Sequence, residues 1–294
     1  MSKDAKPSKG KKRGWYKSSS KSQLKPGDLG FLCSINQHQE KIAMLNMFAI
    51  LNKIAPEESN NSSNEKASTD FFGDLKSEVE TLKTSSKNHR YNKVDTGAKN
   101  MMFIKITDTD PSKVSQTSDT MYNFKDEPLN TRGLSKVLPV CKVIKILSSN
   151  KHTKVETEGD DESSPKESFD QQALSDAIKE ISKEFFPKSI LRKELGGNYD
   201  AEKSEEEKFL LNIEVKVSNC NGVSKNILLN STMSSLRQYC PGIELDYNHK
   251  ERILKVHVIK SLCLFAYLPN SLKFKNYNLY QVQLEQMKKE KNSP

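Results

Sequence analysis

Residues 209 to 268 constrain the chain most, because they change hydrophobic period twice within one short stretch. Phe209 to Val217 alternates apolar and polar side chains, with Leu211, Ile213, Val215 and Val217 on one face; this period of two predicts a half-buried strand with Glu214 and Lys216 facing out. A turn over Asn219 to Gly222 follows, then Val223, Ile227, Leu228 and Leu236 recur at helical spacing until Pro241-Gly242. Ile243 to Asp246, Ile253 to Ile259 and Leu262 to Leu268 are further strand candidates, the first two separated by the polar turn 248–251. The stretch therefore reads as a small αβ domain.

Composition limits how much else is packed. The 294 residues are 34% hydrophobic and 29% charged with a mean hydropathy of −0.73, so tails or linkers are expected beside one or two domains. No run of 18 apolar residues and no apolar segment behind the basic N-terminus points to a membrane span or secretory signal, which predicts a soluble intracellular protein. Residues 1–25 hold nine Lys/Arg against one acidic residue, so they supply +8 of the formal +9 and leave the body near neutral. Such an arm, with Lys11, Lys12 and Arg13 at its centre, is a phosphate-attracting segment, a solvated leader or a nuclear address. The five cysteines show no CxxC and no histidine at metal-ligand spacing; Cys33, Cys141 and Cys263 lie in apolar runs as small core residues, and no metal site is assigned.

Taken in order, Leu29–Ile35 reads as a first strand, followed by a helix from about 37 to 54 with the stripe Ile42, Leu45, Ala49 and Leu51 beside Phe48. Residues 57–69 are a polar insert, and Phe72, Leu75, Val79 and Leu82 mark a short amphipathic helix. MMFIKI, ending at Ile106, is a strand, and Asp110-Pro111 starts a helix carrying Met121, Tyr122 and Phe124. Residues 136–147 form the next strand, which Pro139 marks as an edge or a bulge. The acidic run 156–167 is a loop, Asp170 caps a helix bearing Leu174, Ile178, Ile181 and Phe185, and 277–290 is a short helix.

The strand Ile213-Glu214-Val215-Lys216 leading into Asn219, the helix after it and the runs ILKVHVI and SLCLFAYL resemble the C-terminal part of the THUMP domain, an RNA-binding module of tRNA-modifying proteins. With GFLCSI, GAKNMMFIKI, LPVCK and YNLYQV the resemblance extends from about Gly27 to Val282, and it is to the stand-alone THUMP-domain adaptor that partners the tRNA N4-acetylcytidine acetyltransferase. It implies an α+β protein: a disordered basic tail over 1–26, an N-terminal ferredoxin-like domain over 27–135, a THUMP domain over 136–270 with the acidic insert 156–167, and a C-terminal tail over 271–294. It also implies a nuclear, non-catalytic adaptor without cofactor that presents serine and leucine tRNAs, while the partner supplies the acetyl transfer in the D-arm. In this family the strand carries K-x-R-N, and this chain has Lys216-Val217-Ser218-Asn219; likewise Lys136 stands where arginine is usual, keeping the charge without the planar fork.

The candidate RNA contacts are Arg132, Lys136, Lys142, Lys216 and Asn219, joined by Lys11, Lys12 and Arg13, because structured RNA is held by cations and amide donors on phosphate and 2′-OH groups. No phosphate loop, GxSxG or HExxH motif is present, and the five histidines are scattered, His257 reading as structural; no catalytic residue is assigned. Two other readings stay open: a general RNA-binding or ribosome-assembly factor working through its basic arm, and a stand-alone tRNA-modifying enzyme.

Overall fold

Two sheets, each with helices on its outer face, are laid against one another. A computed structural model describes residues 22–55, 90–149, 167–200 and 209–291. The first layer runs β1 (Gly30–Ile35), α1 (Glu40–Ile54), β2 (Tyr91–Val94), β3 (Met101–Ile106), α2 (Pro111–Asn123) and β4 (Leu134–Val140). Its sheet order is β2-β3-β1-β4 with every neighbour antiparallel, the split βαβ arrangement of a ferredoxin-like fold. Asp110 caps α2 by accepting the Lys113 backbone N–H at 2.8 Å, and Pro111 takes the first turn, where no N–H is needed.

The stripe expected on α1 is rotated. Ala43, Met47, Ile50 and Leu51 are buried, whereas Ile42 and Leu45 are 38% and 62% exposed. Ala43 lies on the buried face, where it fits against Gly133: φ there is +83°, and an added Cβ would meet Ala43 Cβ at 3.3 Å. β2 is a strand the sequence reading did not assign; four residues with Asn92 and Lys93 in the middle carry too little alternation. The helix expected over 72–82 and the inserts 57–69 and 156–166 lie outside the described residues.

The strand expected over 136–147 is three strands: β4, β5 (Lys142–Lys145) and β6 (Leu147–Ser149). The chain passes from one sheet to the other at Cys141, whose N–H bonds to the Phe265 carbonyl at 2.9 Å. As Pro139 suggested, β4 is an outer strand of its sheet. Beyond it lie β7 (Glu167–Phe169), α3 (Gln171–Phe185), β8 (Phe209–Ser218), α4 (Lys225–Tyr239), β9 (Ile243–Leu245), β10 (Ile253–Ile259), β11 (Leu262–Leu268) and α5 (Leu279–Lys291). Asp170 caps α3 through the Ala173 N–H at 2.9 Å, and Ser224 caps α4 through that of Ile227 at 3.3 Å.

The second sheet has the order β5-β11-β10-β8-β9, with β10, β8 and β9 parallel and the rest antiparallel. Period-two alternation divides its residues between two cores. Leu254, Val256, Val258, Cys263, Phe265 and Tyr267 face α3 and α4, while Ile253, Ile259, Leu264, Ala266 and Leu268 join the core of the first layer. From Ser271 onward the chain returns to the first layer, burying Phe274, Tyr277, Leu279 and Val282 there. The Val137 N–H donates to the Tyr277 carbonyl at 3.0 Å, and the Tyr122 hydroxyl donates to the carbonyls of both Val137 and Tyr277. The α+β class expected from the sequence is the class observed.

Candidate nucleic-acid interface

β8 places charged side chains between the layers. Glu214 and Lys216 lie off the helix-covered core, as the alternation suggested: Lys216 is exposed and Glu214 partly so, and both line a depression toward the first layer, because the opposite face of β8 is buried under α3 and α4. The parallel register sets Lys255 beside Glu214, His257 beside Lys216 and Ile259 beside Ser218. Lys255 and Glu214 form an ion pair at 2.8 Å, and the Ser218 hydroxyl lies 3.0 Å from His257 Nε2. Burial, reinforced by the Lys216 and Lys255 charges, pushes His257 down to about 4, so the ring is neutral at pH 7. Lys136 enters from β4; desolvation holds it below the usual lysine range, repulsion from Lys255 and Lys216 adds to this, and Glu214 opposes it. Three lysines thus converge on one carboxylate, and the surplus positive charge favours an anion.

A second depression adjoins the first, sharing Ser34, Met101 and Lys216 and running along residues 97–101 to Ser218 and Asn219, with a volume of about 640 Å³. Asn219 takes a left-handed conformation with φ of +52°, and its side-chain amide donates to the Gly97 carbonyl at 3.0 Å, tying the end of β8 to the first layer. Gly97 also has positive φ, a conformation that L side chains rarely adopt, and the end of the Lys260 side chain packs against it. Lys99, Lys216 and Lys260 are exposed around this depression. Cations beside amide and hydroxyl donors can hold phosphate and ribose oxygens.

Of the residues singled out from sequence, Lys136, Lys216 and Asn219 come together here. Lys142 does not: it lies on the helix-covered face of the second sheet and pairs with Glu180 of α3. Arg132 is exposed at the approach to β4, where Asn46 donates to its carbonyl at 2.8 Å, and it lines neither depression. Lys11, Lys12 and Arg13 lie outside the described residues. Sequence reasoning did not select Lys99, Lys225, Lys255 or Lys260. For Lys255 a signal was present, since Lys255 and His257 are the polar members of the alternation in ILKVHVI. Among the described residues no group of three or more His, Cys, Asp or Glu is arranged for a metal, and no helix is long and apolar enough to cross a membrane. Burial raises the thiols of Cys33, Cys141, Cys240 and Cys263, the third to about 11, which keeps them protonated at pH 7.

No family model matches this sequence, and no curated protein matches it either. Among solved structures it is similar to PH1313 from Pyrococcus horikoshii Ot3, at 5% identity and a TM-score of 0.40, over 83% of this chain and 55% of that one. It is also similar to a 4-thiouridine synthetase solved as an RNA complex with bound ATP, at 8% identity and a TM-score of 0.36, over 82% of this chain and 41% of that one. The chain therefore spans about half the length of these two structures.

Proposed function

We propose that this chain is a non-catalytic THUMP-type tRNA-binding adaptor, which presents serine and leucine tRNAs to an RNA cytidine acetyltransferase for N4-acetylcytidine formation in the D-arm. The observation that carries the binding half of this reading is the pair of adjoining depressions where Lys136, Lys216, Lys255 and Lys260 surround a neutral His257 and the Ser218 hydroxyl. Fixed cations beside hydrogen-bonding groups suit the shape and backbone of a folded RNA more than its base edges. The adaptor half rests on the sequence resemblance. Acetyl-CoA and ATP would be bound by the partner, and the basic arm would add a salt-sensitive attraction and a nuclear address.

Reconstitution tests it: this chain, the acetyltransferase, ATP, acetyl-CoA and serine tRNA, with N4-acetylcytidine quantified by mass spectrometry as each component is omitted. Product that needs both proteins is the expected result; product formed equally well without this chain removes the adaptor role. Modified tRNA from this chain alone, with acetyl-CoA or S-adenosylmethionine, would make it an enzyme. The +8 charge of residues 1–25 favours one competing reading, a general RNA-binding or ribosome-assembly factor. Deleting those residues abolishes binding under that reading, whereas the adaptor keeps weaker, tRNA-selective binding. Reversing Lys136 and Lys216 together should lower the salt slope of tRNA binding by about two units, roughly one per phosphate contact.

A further inference from the structure

β8 leaves a strand edge open inside the lysine-rich depression. Its pairing with β9 covers Phe209–Leu211 alone, while its pairing with β10 covers Asn212–Ser218. Asn212 N–H donates to the Arg252 carbonyl and Lys260 N–H to the Ser218 carbonyl, so the even-numbered residues of β8 are engaged with β10. In a parallel ladder the alternate residues then aim their N–H and C=O groups the other way. Those residues are Ile213, Val215 and Val217, and among the described residues no strand pairs with them on that side.

The cavity beside this edge holds about 550 Å³. Ile213, Glu214, Val215 and Lys216 all line it, although their side chains point alternately to opposite faces of the sheet. Four consecutive strand residues can share one cavity only where it runs along the strand's edge. Its walls are apolar at Met101, Leu138 and Leu229 and cationic at Lys136 and Lys225.

We infer that this edge is a docking site for an extended segment of a partner protein in which apolar and acidic residues alternate, added as a further strand alongside Ile213–Val217. Backbone hydrogen bonds supply the affinity of such an addition, and side chains at alternate positions supply its selectivity. Here the carboxylates would face the first layer and meet Lys136 and Lys216, and the apolar set would face α4 and meet Leu229. A nucleic-acid strand fits the edge less well, because a phosphodiester backbone offers acceptors to outward N–H groups and few donors to the carbonyls between them. The segment would share Lys136 and Lys216 with the proposed tRNA contact and so compete with it, and no tRNA enters its test.

The test is amide hydrogen exchange by NMR on the full chain, with a synthetic eight-residue peptide alternating valine and glutamate as the probe. In the protein alone the Ile213, Val215 and Val217 amides should exchange at least tenfold faster than those of Glu214 and Lys216. Adding the peptide should slow them at least tenfold. A peptide N-methylated at alternate residues, or one with lysine in place of glutamate, should not protect them, and Lys136→Glu should weaken binding at least tenfold. Retained protection of the Glu214 and Lys216 amides shows that this variant remains folded. The inference is overturned if the edge amides are already slow in the protein alone, if the acidic peptide leaves them fast, if the N-methylated peptide protects them equally, or if oligouridylate protects them at lower concentration.

Discussion

β4 and the length of β8 beyond Leu211 face the same physical difficulty, a row of backbone groups on the outer side of a sheet, and the molecule treats them in opposite ways. At β4 the difficulty is removed. The chain returns 155 residues after Tyr122 to set Tyr277 against Val137, and the rings of Tyr122, Phe274 and Tyr277 pack with centroids 4.8 to 5.4 Å apart. At β8 the groups stay available, flanked by lysines, a charge pattern that discourages indiscriminate pairing while admitting an anion. One edge is closed with aromatic surface and the other is kept open with charge, which separates a structural strand from a candidate binding strand.

The severest way to break this contrast is to uncover β4. Ending the chain after Asn270 removes the buried Phe274, Tyr277, Leu279 and Val282. At about 2 kcal/mol for each side chain the loss is on the order of 8 kcal/mol, comparable with the stability of a whole domain. Urea unfolding should show the first layer unfolded and prone to associate through its bared edge. A single-site version is Tyr122→Ala, expected to cost about 4 kcal/mol by the same measurement. Tyr122→Phe keeps the ring and deletes the hydroxyl that serves two carbonyls, and should cost about 1–2 kcal/mol.

His257 tests the open side through pH. The histidine takes up a proton near 6.5 when unfolded and near 4 when folded, so between those values the unfolded state binds more protons. Stability contributed at neutral pH is therefore lost as pH falls through that window, by about 2–3 kcal/mol in total, and is unaffected above it. Thermal or urea midpoints from pH 7 to 4 should show this decline, and His257→Gln should flatten it.

The smallest effect belongs to Lys142. Its partner Glu180 is well exposed, and such surface pairs contribute about 0–1 kcal/mol, so Lys142→Ala should shift stability by less than about 0.5 kcal/mol and leave tRNA affinity unchanged. A strong loss of tRNA binding in that variant would move the interface to the helix-covered face.

What the sequence discloses here is what local chemistry decides. β8 and β10 alternate visibly, β11 is a short apolar run, Asp110-Pro111 and Asp170 announce helix starts, and Pro139 marks an outer strand. The switch of sheets at Cys141 is not legible, because an apolar run from 136 to 147 reads as one strand whichever sheet each half joins. The same applies to the lysines. Lys142 and Lys216 look equivalent in a string of letters, and only the pairing of β5 with β11 sends Lys142 to the far side. Lys260 and Gly97 become neighbours solely through tertiary packing, which no spacing in the chain encodes.

The closure of β4 by Tyr277 also carries a consequence for synthesis. At about 5–20 residues per second, the 155 residues separating Tyr122 from Tyr277 take roughly 8–30 s to translate. Throughout that interval the nascent first layer lacks its aromatic cover, so β4 leaves the ribosome as a bare template and is sealed only when the region around Tyr277 emerges.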